Sequence, residues 1–106
     1  KDEFAFNTKL GPANVDTLGD FAHNTDLIHL GDTIFKTIGP TLDGVEFYAK
    51  AQAVKAHDAD DRIIYDTSTG KLYYDDDGNK AGGHAAVHFA TLSTKPVVDA
   101  GDFLVV

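Results

Sequence analysis

Arg62-Ile63-Ile64-Tyr65-Asp66-Thr67-Ser68-Thr69-Gly70-Lys71-Leu72-Tyr73-Tyr74-Asp75 is the stretch that decides the fold. Two runs rich in β-branched and aromatic residues flank the turn Thr67 to Gly70, where glycine can take a positive φ at little steric cost. A hairpin that pairs Asp66 with Lys71 sets Ile63 opposite Tyr74 and Arg62 opposite Asp75. Beyond the loop Gly78 to Gly83, Ala85 to Leu92 is expected to add a third strand, with Val87 and Phe89 on one face and His88 and Ala90 on the other. The three strands make a meander.

Upstream, Glu3 to Phe6, Val15 to Phe21 and Asp26 to Leu30 read as short strands broken at Leu10-Gly11-Pro12 and around residues 21–25. Asp32 can cap a short helix through Thr33 to Ile38 by accepting first-turn amide protons, and Gly39-Pro40 would end it. Phe35 and Ile38 would then face the core together. Leu42 to Val54 stays open: Val45, Phe47 and Tyr48 suit a strand, whereas 49–56 has helical composition without an apolar face. The expected fold is mainly β, the end of a β-roll or sandwich-like cap with a hairpin meander and one short helix. It forms one domain over 1–106: roll-closing strands in 1–31, helix and connection in 32–56, and the meander with a terminal strand in 57–106.

The chain has 106 residues with 42% hydrophobic content, enough for one modest core. Its formal charge of -8 repels phosphate backbones and anionic lipid, which argues against nucleic acid or membrane partners. Cysteine is absent, so disulfides, thiolate zinc sites and cysteine nucleophiles are excluded and any extracellular stability must come from packing or from hard cations, calcium first among them. There is no Met, not even at the first position, and no leader-like or membrane-spanning apolar run, so a fragment of a longer exported chain is expected.

The hairpin register gathers Asp58, Asp60 and Asp61 with Asp75, Asp76 and Asp77 at one end. Mutual repulsion, on the order of 1 kcal/mol per close pair, would be relieved by a divalent cation or by splaying into water. Asp75-Asp76-Asp77-Gly78-Asn79 has the oxygen ligands and tight glycine turn of a calcium loop, although Tyr73 stands where a further aspartate is expected and the closing glutamate is missing. Asp58, Asp60, Asp75, Asp77 and Asn79 are therefore candidate ligands. His84 and His88 have the spacing of a helical zinc-protease pair, but Ala85 stands where the water-activating glutamate would be and a strand holds the imidazoles ~13 Å apart. The remaining histidines, His23, His29 and His57, are scattered and suggest no triad. No catalytic residue is assigned, and a small hydrolase ranks last among the possible functions. An extracellular adhesion or glycan-binding domain, with Tyr65, Tyr73 and Tyr74 as an aromatic surface beside calcium, is the alternative.

Asp2-Glu3-Phe4-Ala5-Phe6, Asn14 to Phe21, Asp26-Leu27-Ile28-His29-Leu30, Asp61 to Asp66 and the terminal Asp102-Phe103-Leu104-Val105-Val106 together resemble the region that follows the glycine-rich repeats in RTX (hemolysin-type calcium-binding) proteins. In that family the repeats wind into a parallel β-roll that binds calcium through carbonyls and aspartates. The resemblance makes Asp2 part of a last repeat whose preceding glycines are not present here, and Asp16, Asp20 and Asp26 ligands or caps where the roll closes. It also makes Asp102, Phe103, Leu104, Val105 and Val106 a secretion signal read by type I secretion machinery while the chain is unfolded. The implied protein is non-catalytic and secreted, with calcium and upstream RTX repeats as partners; a monomer is expected, although an end strand without its neighbour could leave an apolar edge that dimerises. Millimolar extracellular calcium would neutralise the carboxylates and favour folding after export. Read plainly, the last five residues are a terminal core strand.

Overall fold

The computed structural model describes residues 3–6, 15–19, 21–22, 26–38, 42–78 and 86–106. It is mainly β, with strands β1 Glu3–Phe6, β2 Asp16–Leu18, β3 Leu27–Leu30, β4 Phe47–Lys50, β5 Ile63–Asp66, β6 Lys71–Tyr74, β7 Val87–Leu92 and β8 Phe103–Val105. Short 3-10 turns at Gly44–Glu46 and Ala100–Asp102 lead into β4 and β8.

The hairpin forms in the expected register: Ile63 faces Tyr74, Asp66 faces Lys71, and Asp75 N–H donates to Arg62 C=O at 2.8 Å. Gly70 takes φ +81°, and a Cβ there would collide with the backbone of Leu92, whose N–H donates to Gly70 C=O at 2.7 Å. One glycine thus serves both the turn and the seam with β7. That third strand pairs antiparallel with β6, but the register slips between Leu72 and Tyr73. The simple alternation expected for this strand fails at this bulge: Phe89 and Ala90 are both buried while Val87 is exposed.

The remaining pairings are parallel and non-local. A five-stranded sheet runs β2-β7-β6-β5-β4, and a three-stranded sheet runs β1-β3-β8. Successive strands β1, β2 and β3 alternate between the sheets, as do β7 and β8, so β3 lands beside β1, β7 beside β2, and β8 beside β3. The strands β4, β5 and β6 extend the larger sheet beyond β7. The terminal strand does not close the meander. It joins the opposite sheet beside β3, fixed by Val106 N–H to Leu30 C=O and Asp32 N–H to Val106 C=O, both 2.9 Å.

Between the sheets lies one core containing Phe6, Ile28, Leu30 and Phe103 from the smaller sheet and Leu18, Ile63, Tyr65, Leu72, Tyr74, Phe89 and Leu92 from the larger. The segment after Asp32 is a pair of turns and not the expected helix: Ile34 and Phe35 N–H both donate to Gly31 C=O, and Ile38 N–H to Phe35 C=O. Tertiary demands decide this. Phe35 plugs the core edge-on to Tyr74 and Phe89, at centroid distances of 4.9 and 5.2 Å, while Thr37 N–H donates to Tyr74 Oη at 3.2 Å. Phe35 and Ile38 are buried together, as expected.

All four residues of β5 are buried, because both its faces are covered. Ile63 and Tyr65 enter the main core, whereas Ile64 packs beneath Ala53 and Ala56 with Tyr48, Tyr73 and Ala86 in a second cluster. The connection from β4 to β5, a parallel pair, supplies that outer cover.

Candidate metal centre

The hairpin ends open into two acidic loops. Gly78, at φ +66°, lets the second loop lie against the first, since a Cβ on it would collide with the backbone of Ala59. The acids expected at one end are thus brought together as two separate groups whose ligand atoms lie close enough to hold a metal ion: Asp75, Asp76 and Asp77, and His57, Asp58 and Asp61.

Their donor sets differ. Asp75, Asp76 and Asp77 offer only carboxylate oxygens, the choice of hard cations such as calcium or magnesium. Asp75 is 3% exposed and accepts Asp77 N–H at 3.2 Å. Burial pushes its carboxyl above the usual range, and the charges of Asp77 and Asp76 push the same way, outweighing the amide. A divalent cation would relieve both effects, so these residues fit one.

In the second group His57 Nδ1 lies 2.5 Å from Asp61 Oδ2, which also accepts His57 N–H at 2.8 Å. The ring stacks on Tyr48 at 3.8 Å between centroids, and its Nε2 lies 3.6 Å from Asp58 Oδ2. Asp58 accepts Asp60 N–H at 2.9 Å and Asp61 N–H at 3.1 Å. Burial pushes the Asp58 carboxyl up, but the Asp60 amide, Asp61 and the neighbouring His57 prevail and hold it below the usual range. Imidazole suits transition metals better than calcium, and these carboxylates already bind the loop's own amides.

Among the expected ligands, Asp60 is exposed and belongs to neither group. Asp16 is exposed on β2, and Asp26 is buried with Oδ2 accepting Ala22 N–H at 2.9 Å, closing a turn. Asp2, Asp20 and Asn79 lie outside the described residues, as do His23 and His84. His88 sits on β7, its Nε2 2.9 Å from Thr91 Oγ1, and burial lowers its pKa. At the C-terminal end Asp102 is buried with Oδ2 accepting Asp99 N–H at 3.0 Å, Phe103 is buried, and Leu104 and Val106 are exposed. That is the core-strand arrangement of the plainer reading.

Two sequence expectations need correction. Tyr65 and Tyr74 are 1% and 6% exposed, with Tyr65 Oη donating to Pro96 C=O at 2.7 Å and Tyr74 Oη 2.8 Å from Thr37 Oγ1. They are core tyrosines whose hydroxyls are satisfied, and they cannot present the aromatic surface considered for glycan binding. His57, read as one of several scattered histidines, is instead tied to the acidic end. Its i, i+4 spacing to Asp61 was the legible clue.

Among the described residues, the carboxylate pulled furthest down lies outside both groups. Asp66 Oδ1 accepts Gln52 N–H at 2.8 Å, Ser68 N–H at 2.9 Å and Ser68 Oγ–H at 2.6 Å. Burial opposes the charge, yet these hydrogen bonds lower its pKa to about 2. The Asp-Thr-Ser order at the hairpin turn is the sequence trace of this Asx-turn.

No family model matches the chain, and no curated protein or solved structure matches it either.

Proposed function

We propose that this chain is a non-catalytic calcium-binding module of a larger exported protein, closing and stabilising a calcium-loaded roll. The observation that carries the reading is the all-oxygen trio Asp75, Asp76 and Asp77, close enough to share an ion, with a buried carboxylate whose charge its neighbours oppose. Calcium supplies the charge that such a loop lacks.

The strand connectivity supports the roll. β1 and β2 are outer strands of their respective sheets, where a preceding coil would pair in parallel as β3 pairs with β1. Asp102 to Val106 serves in this reading as the type I secretion signal while the chain is unfolded and as a sheet strand once it has folded. Export before folding and millimolar calcium outside would make the two roles sequential.

The test is a calcium titration followed by amide NMR, with magnesium as control. Saturable, calcium-selective shifts are expected at residues 75–78, with smaller ones at 58–61. A folded spectrum unmoved by millimolar calcium refutes the metal site. For export, a passenger fused to the chain should lose type I secretion when Asp102 to Val106 is deleted, and undiminished export would rule out that role.

A further inference from the structure

The connection between β4 and β5 crosses the outer face of the larger sheet as a strap held at its two ends. At its start Gln52 takes φ +67°, a left-handed conformation unfavourable for a non-glycine residue, and its N–H is held by the Asp66 carboxylate at 2.8 Å. At its end the buried Asp61 carboxylate grips both the backbone and the ring of His57, whose other side is stacked on Tyr48. Between these latches the strap presses Ala53 and Ala56 onto Ile64 among the described residues. A cleft of about 410 Å³, lined by residues 48 and 50–57, lies along it. Few apolar contacts, a hinge in an unfavourable conformation and polar latches are the features of a segment that opens below the threshold of global unfolding.

We propose that residues 51–57 open as a unit about Gln52, breaking the bonds of His57 to Asp61, and that closure of this strap is coupled to the Asp75–Asp77 loop through the turn 58–61, whose Ala59 backbone lies against Gly78. Opening uncovers the Ile64, Tyr48 and Tyr73 patch and frees the turn 58–61 from His57, so Ala59 no longer holds its place against Gly78 and the acidic loop loses the wall that shapes it. Cation binding there favours the closed strap by the same linkage. The coupling to a cation rests on the function proposed above, whereas the strap itself does not.

Hydrogen exchange read by NMR on the whole chain tests both parts. His57→Phe keeps an aromatic ring against Tyr48 and removes the ring's bond to Asp61, leaving the backbone N–H bond in place. It should speed exchange of the amides of Ala53, His57 and Asp61 about tenfold, the effect of losing one charge-assisted hydrogen bond. The Asp77 amide, bonded to Asp75, should quicken with them. The amides of Arg62 and Leu92, bonded to Glu46 and Gly70, should not. Uniform acceleration across the chain, or none in the strap, overturns the strap; acceleration that leaves Asp77 unchanged overturns the coupling. In the unsubstituted chain calcium should slow exchange of the strap. Calcium shifts at 75–78 without that slowing also overturn the coupling, whereas no calcium shift at all sinks the cation reading and leaves the strap to the His57→Phe result.

Discussion

Replacing Asp66 by Asn isolates the contribution of one buried charge, since Asn keeps an Oδ1 acceptor of the same reach while losing the formal charge. Asp66 is 3% exposed, and its pKa falls from 3.8 to about 2 on folding. The interval corresponds to about 2 kcal/mol of stability carried by the ionised form. Because the folded pKa lies below the unfolded one, the unfolded chain binds more protons in the intervening range. The contribution is therefore complete above the unfolded value and disappears as pH falls through about 2. Asp66→Asn should lose about 2 kcal/mol at pH 7, a large share of the ~5–15 kcal/mol typical of a domain. Asp66→Ala, which also strands the Gln52 and Ser68 amides, should lose about 3 kcal/mol or more. Urea unfolding at a series of pH values, read as the difference between variant and unsubstituted chain, cancels the other carboxylates. A difference that persists undiminished near pH 2, or an Asp66→Asn chain as stable as the original at pH 7, would refute the reasoning.

Gly70→Ala should destabilise by more than the ~1 kcal/mol of a left-handed non-glycine residue, because the new Cβ also meets the Leu92 backbone; thermal denaturation would show it. Phe35→Ala should cost about 3–5 kcal/mol in chemical unfolding despite lying in a turn, since its ring is fully buried against Tyr74 and Phe89. Asp75→Asn should raise the melting temperature in calcium-free buffer and abolish the calcium response. Its folded pKa lies above the usual value, so this gain should be present at neutral pH and vanish once acid protonates the carboxyl in both folded and unfolded chains.

The legible parts of this protein were those governed by short-range rules. The hairpin register follows from a four-residue turn with a glycine at its αL position, and once that register is set the two acidic runs must leave the same end. The strands over Glu3–Phe6 and Leu27–Leu30 were readable from their composition, and the burial of Phe35 with Ile38 from their spacing. The helix was misread because capping and periodicity say nothing of the pull that Tyr74 and Phe89 exert on Phe35. The tyrosines were misread because composition cannot tell a surface strand from one covered on both faces.

Composition and local turn chemistry by themselves determined a mainly β, acidic, cysteine-free chain built around one meander. Only the tertiary structure decided that β8 joins β3 in the opposite sheet, that Phe89 occupies a bulge, and that His57 and Asp61 meet at the end of a strap over Ile64. The physical reason is the range of the interactions. An antiparallel hairpin is registered by its own turn, whereas parallel strands separated by long connections have no such device and take their register from the core they enclose together.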